Sequence, residues 1–192
     1  MQRPVTFERH IPAVHRKKKD KMNSKNSLET ECKRLWKETF GDSDEFISSF
    51  MEHHFRKENM LYIEECGRVL SMLHIIPFEL CGRRVAYMYA VATESNARGK
   101  GLATRLIEQA IEKVKSSGYS ALITLPADDG LRKFYTRFGF KGAFPVKFIT
   151  PDDFDFGTGD PEKEIVAILP FDKEILPLLE GGTIILKKEN CK

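Results

Sequence analysis

No apolar run in this chain approaches the roughly 18 residues that a membrane-spanning helix needs, so no membrane partner is expected. Cysteine is sparse. The four residues, Cys32, Cys66, Cys81 and Cys191, form no C-x-x-C pair and have no His at ligand spacing. That pattern argues against a disulfide framework or a zinc site, and no metal is expected. It suits reduced thiols and a cytoplasmic protein. His53 and His54 are adjacent rather than one helical turn apart, so on a helix they diverge. The N-terminal segment lacks the apolar stretch of a secretory signal.

Acidic residues are scarce at the N-terminus. Residues 1–26 hold eight basic residues against Glu8 and Asp20, a net +6, while the whole chain carries +3, which leaves −3 for the remainder. This polar, aperiodic segment reads as a disordered basic extension, with Met22 as an alternative start. Its run Arg16-Lys17-Lys18-Lys19 reads as solvated, and no nucleic acid partner is expected. With 192 residues, 41% of them hydrophobic, residues 27–192 are expected to form one domain with a full core.

The segment Arg98-Gly99-Lys100-Gly101-Leu102-Ala103 carries the most information. It follows the apolar run Val85 to Thr93 and opens a periodic helix from Leu102 to Val114. A Gly-rich turn between strand and helix presents free backbone N–H groups at the positive end of the helix dipole, which favours phosphate. Gly99 and Gly101 allow close backbone approach, and Arg98 and Lys100 add charge. Two familiar cradles are missing. The P-loop needs Gly-Lys-Ser/Thr, and Lys100 is followed by Gly101. The dinucleotide fingerprint needs a third Gly, and here Leu102-Ala103-Thr104 follows.

The rest of the pattern is orderly. Leu28, Cys32, Leu35, Trp36 and Phe40 recur at helical spacing, and Gly41 closes that segment. Asp42 or Ser43 can cap a second helix carrying Phe46, Ile47, Phe50, Met51 and Phe55 on one face. Leu61 to Glu65 and Val69 to Ile76 read as a hairpin, and Cys81 to Arg84 turns into the strand ending at Thr93. After the Gly loop, Leu102, Leu106, Ala110, Ile111 and Val114 form a buried stripe. A short strand up to Leu125, a turn at Pro126 to Gly130 and a helix ending in Phe138-Gly139 follow. Further strands are expected at Ala143 to Ile149, Glu164 to Leu169 and Thr183 to Lys187, with a polar loop at Asp152 to Glu162. This order predicts an α/β mixed sheet with helices on both faces.

Arg98-x-x-Gly101-x-Ala103 resembles the pyrophosphate motif of the GCN5-related N-acetyltransferase (GNAT) superfamily. Phe134-Tyr135-x-x-Phe138-Gly139-Phe140, one helix and one strand downstream, looks like that superfamily's second signature. The similar segment runs from about Leu61 to Phe148. One position departs: the family has Asn seven residues before the Tyr, and here it is Asp128. Tyr87 to Thr93 and the segment Trp36 to Ile47 further resemble the N-terminal domain of enhanced-intracellular-survival-type acetyltransferases. The extra domains of those proteins are expected to have no counterpart here.

The resemblance implies a mostly antiparallel sheet with a V-shaped split, and acetyl-CoA as cosubstrate. Val91, Ala92 and Thr93 would offer backbone groups to the pantetheine. Arg98, Gly99, Lys100, Gly101, Leu102 and Ala103 would hold the pyrophosphate. Tyr135 would protonate the thiolate leaving group, a transfer only mildly uphill from a phenol of pKa about 10 to a thiol of about 8.5. The acceptor would be a small-molecule or peptide primary amine, with its base open between Glu94, Asp128 and a relayed water. A backbone N–H near Ala92 to Thr93 would steady the oxyanion. Specificity is expected near Phe46 to Asn59 and Pro145 to Gly159, while Trp36 reads as core. A non-catalytic acyl-CoA-binding module is the alternative, and a homodimer is left open.

Overall fold

The computed structural model of the chain describes residues 19–160, 162–180 and 182–188. The basic segment at residues 1–18 and Cys191 lie outside them. Two helices come first, α1 (Lys19–Phe40) and α2 (Asp44–His53). α1 reaches back into residues 19–26, which sequence pattern alone had assigned to the extension. That stretch has no Gly or Pro to stop helix propagation upstream of Leu28. Gly41, at φ +76°, ends α1 in the left-handed conformation, and its N–H donates to Lys37 O at 3.0 Å. Of the two candidate caps for α2 the chain uses Ser43, whose side chain accepts from Phe46 N. Asp42 is thereby left for another task.

Three antiparallel strands follow, β1 (Met60–Glu65), β2 (Arg68–Leu80) and β3 (Arg83–Thr93). Both hairpins turn on two residues, Cys66-Gly67 and Cys81-Gly82, each pair at positive φ as the tight two-residue hairpin requires. Next come α3 (Leu102–Ser116), β4 (Ala121–Thr124), α4 (Asp129–Thr136), β5 (Lys141–Ile149), β6 (Ile165–Pro170) and β7 (Ile184–Lys188). A 3₁₀ segment at Lys173–Leu179, which the sequence pattern had not signalled, buries Ile175 and Leu179. The sheet order is β1-β2-β3-β4-β6-β5-β7, and the far end of β2 also touches β7. Two pairings are parallel, β3 with β4 and β5 with β7, and the others are antiparallel.

β2 is nearly continuously apolar because both of its faces are covered. Met72, Ile76 and Phe78 point to the side of α1 and α2, where Leu35, Trp36 and Phe50 meet them. Leu73 and Ile75 point to the side of α3 and α4, against Leu106, Ile107, Ala110 and Phe140. The α3 stripe is rotated slightly from expectation: Ile107 is fully buried, while Leu102 and Ile111 are half-buried. Helices thus cover both faces of a mixed sheet.

His74 lies in the first of these cores at 1% exposure, ringed by Trp36, Phe50 and Phe55. Its Nε2 has no hydrogen-bond partner, and burial pushes its pKa down to about 3. The unfolded chain binds a proton here below about pH 6.5 and the folded chain does not. Stability is therefore complete above that pH and declines as pH falls toward 3, by about 1.4 kcal/mol per unit. His54, pushed down to about 4 mainly by burial, adds to the same window. The lowered carboxylates Glu31 and Glu94 act only below their ordinary 4.5. Urea unfolding between pH 6.5 and 4.5 is expected to show this loss, and His74→Phe to cut its slope roughly in half.

Candidate active site

The parallel register of β3 and β4 ends at Met88↔Thr124, yet β3 continues to Thr93. Beyond that point the strands part, and the wedge between them opens into a cavity of about 310 Å³. Met88 to Val91 form one side of it, and Thr124 to Ala127 the other. β3 also carries a bulge here. Met72 pairs with Ala92 and His74 with Tyr89, so β3 has one residue more than β2, and Ala90 takes the left-handed φ of +49°. A bulge leaves its extra residue outside the ladder and so frees backbone polar groups. On a non-glycine residue that conformation is strained by roughly 1 kcal/mol, the kind of outlier that gathers at functional sites.

Two carbonyls at the end of β3 already have side-chain partners. The Ala92 carbonyl accepts from Ser71 Oγ at 3.0 Å, and the Thr93 carbonyl accepts from Arg98 Nε at 3.1 Å. Of the strand residues named from sequence, Val91 lines the cavity, whereas Ala92 and Thr93 do not. The irregularity in the β2–β3 register falls at Ala90 and Val91.

From Thr93 the chain turns through Ser95–Ala97 to the Gly loop. Gly99 and Gly101 lie at φ +77° and +76°, and a Cβ built on either meets no heavy atom within 4 Å. Their glycine identity is thus set by backbone conformation and by open space outside, not by crowding within the protein. Gly101 is the N-cap of α3 and offers no side chain to the first-turn N–H groups of Leu102, Ala103 and Thr104. Lys100 is exposed beside them. Arg98 has a structural share, since its Nε ties the loop back to Thr93. The first turn of α3 therefore presents an uncapped N-terminus of the kind that favours anions, although none of Arg98 to Ala103 is among the residues lining the cavity.

α4 brings Tyr135 to the inner end of the cavity, 5% exposed, on the same lining as Thr124. Burial raises its phenol above the usual value, so it stays protonated through neutral pH. Asp128 is the N-cap of α4, its Oδ1 accepting from Leu131 N at 2.7 Å. Asn and Asp cap helices equally well, which accounts for the departure at this position. Asp128→Ala is expected to cost about 1 kcal/mol in urea unfolding, and Asp128→Asn only a few tenths.

Glu94, the other base candidate, is 6% exposed and held by Arg68 Nε at 2.9 and 3.0 Å through its two oxygens. That pairing holds its carboxyl below the usual range. Neither Glu94 nor Asp128 lines the cavity, so both are occupied in building the site.

The outer wall was largely hidden in the sequence. Trp36, core at 1% exposure, also lines the cavity, with Phe40 and Asp42 beside it. Phe156 and Gly157 arrive from the late loop within Pro145 to Gly159, as expected, but from the early helices the contribution comes upstream of Phe46. Phe154 and Phe156 are buried inside a segment that reads as a polar loop. Their alternation with Asp153 and Asp155 was the available signal.

Comparison with known proteins agrees with this geometry. The family model described as an acetyltransferase (GNAT) domain matches residues 22–143. A curated relative, the uncharacterized N-acetyltransferase YhbS of Escherichia coli K12, is 26% identical over 97 residues, half of this chain and 56% of that protein. The chain thus spans about half the length of the curated relatives it matches. The fold is shared with solved structures. YhbS from E. coli in complex with CoA has a TM-score of 0.59 at 20% identity, covering 84% of each chain. A GNAT family acetyltransferase from Brucella melitensis in complex with acetyl-CoA has a TM-score of 0.53 at 19% identity, covering 74% of this chain and 81% of that one. Eis1 from Mycobacterium abscessus is 12% identical with a TM-score of 0.48, covering 65% of this chain and 29% of that one.

Proposed function

Because the chain belongs to the GNAT acetyltransferase family, we propose that it transfers the acetyl group of acetyl-CoA to a primary amine by direct attack. The observation that carries this reading is the wedge between β3 and β4, with Tyr135 on its wall and an uncapped helix N-terminus a few residues beyond the end of β3. Acetyl-CoA would supply an activated acetyl thioester. The first-turn N–H groups of α3, with Lys100, would hold its pyrophosphate. The edge of β3 from Ala90 to Val91 would pair with the pantetheine in the manner of an added strand.

In the transfer a C–N bond forms as the C–S bond breaks. A backbone N–H near the Ala90 bulge would stabilise charge on the carbonyl oxygen. Tyr135 would pass its proton to the departing sulfur, while the attacking ammonium loses its two protons through relayed water, one returning to the phenol and the other leaving to solvent. Burial raises the phenol, but the same dry environment raises the thiol, so the transfer stays close to balanced. Titration calorimetry of the full chain with acetyl-CoA tests the reading. Saturable binding supports it, and an absence of binding removes it.

A further inference from the structure

The outer half of the cavity is an aromatic wall with a single charge in it. Trp36 packs edge-on against Tyr89 at 5.4 Å, and Tyr89 against Phe156 at 5.1 Å. Tyr87 lies 5.5 Å from Tyr89, and Phe40, 46% exposed, stands at the rim. Asp42 is the one charged side chain among the lining residues. Its Oδ2 accepts from Trp36 Nε1 at 2.7 Å, which fixes the carboxylate on the wall. Among the described residues no Lys or Arg pairs with it, and the neighbouring Lys37 is bound to Asp44 instead.

A half-buried carboxylate without a counter-ion, set among aromatic π-faces, is a cation receptor on two counts. The carboxylate supplies charge, and the ring faces attract an ammonium while burying what it is attached to. The field reinforces this. Burial first, then the charges of Asp42 and Asp155, raise the Tyr89 hydroxyl. The wall is thus negative in potential but apolar in surface.

Resting on the acetyl-transfer reading, we propose that the acceptor is a compact monocationic amine on an aromatic or apolar body, its ammonium received by Asp42. The same features disfavour polycations. A polyamine needs several spaced anionic groups, and this cavity offers one carboxylate. Its 310 Å³ must also admit the acyl end of the donor.

The chain holds a single tryptophan, so Trp36 emission reports on this wall directly. The full chain would be titrated with phenethylamine, its neutral analogue phenethyl alcohol, and spermidine. Phenethylamine is expected to change the emission saturably. The alcohol should bind at least about tenfold more weakly, and spermidine should give no saturable change. Asp42→Asn keeps an oxygen for Trp36 Nε1 but loses the charge. It is expected to abolish the preference for amine over alcohol and to raise the KM for phenethylamine about tenfold or more, while the variant still binds acetyl-CoA. Equal amine affinity in the variant, or tighter binding of spermidine, would overturn the proposal. If acetyl-CoA binds and phenethylamine does not, this inference fails alone. If phenethylamine binds at Trp36 and acetyl-CoA does not, the transfer reading fails and the cation site stands.

Discussion

Acetyl-CoA affinity is expected to fall by roughly a hundredfold or more when Gly101 is replaced by glutamate. The Cβ at this position has open space around it, so the new carboxylate projects outward over the first turn of α3, where the pyrophosphate would rest. Two unit charges about 4 Å apart repel by about 4 kcal/mol at an effective dielectric of about 20. The site is exposed and salt screens part of this, so the prediction is set below the full thousandfold. Backbone strain must be separated from charge, because φ at Gly101 is +76°. Gly101→Asn is the control, since Asn tolerates the left-handed region and carries no charge. Calorimetry should show strong loss in the Glu variant and a much smaller change in the Asn variant. Equal losses in both would mean that conformation, not anion binding, explains the glycine.

The second large effect concerns Tyr135. Tyr135→Phe is expected to lower kcat by roughly 100-fold or more, within the usual range for a lost general acid, with little change in acetyl-CoA affinity. The ring packs on Phe134 and Phe140, and phenylalanine preserves those contacts. What it removes is the hydroxyl. Losing a polar group from a site only 5% exposed can itself shift stability, by about 1 kcal/mol. Unfolding curves should therefore accompany the kinetics. Because burial raises the Tyr135 phenol, the intact protein should show no alkaline loss of activity from this group below its ordinary pKa of 10. A Phe variant with unchanged kcat would make Tyr135 a packing aromatic.

Much of the fold was legible because local signals and burial agreed. The largely apolar β2, the two Cys-Gly turns and the α3 stripe each gave a clear physical signal. The Gly loop was legible for the same reason, since a strand, two glycines and a helix leave few alternatives. The late loop was not, because Asp152, Asp153, Asp155 and Asp160 outweigh Phe154 and Phe156 in composition while the rings decide where the segment packs. The surroundings of the base candidates were hidden for a different reason. Proximity along the chain marked Glu94 and Asp128, but tertiary partners claimed them, an Arg68 ion pair in one case and a helix cap in the other. Asp42 was seen only as a cap candidate. Its place beside Trp36 depends on Ser43 taking the cap and on Gly41 ending α1, a choice made in three dimensions.

The most direct measurement is product analysis. The full chain would be incubated with acetyl-CoA and a panel of primary amines, with free thiol followed by a colour reagent and each amine examined by mass spectrometry. The account predicts thiol release matched one-to-one by an N-acetylated amine, and slowed in Tyr135→Phe. Saturable acetyl-CoA binding with no acetylated amine across the panel, and thiol release no faster than in buffer, would contradict it. The wedge would then be a binding site for acyl-CoA and not a site of transfer.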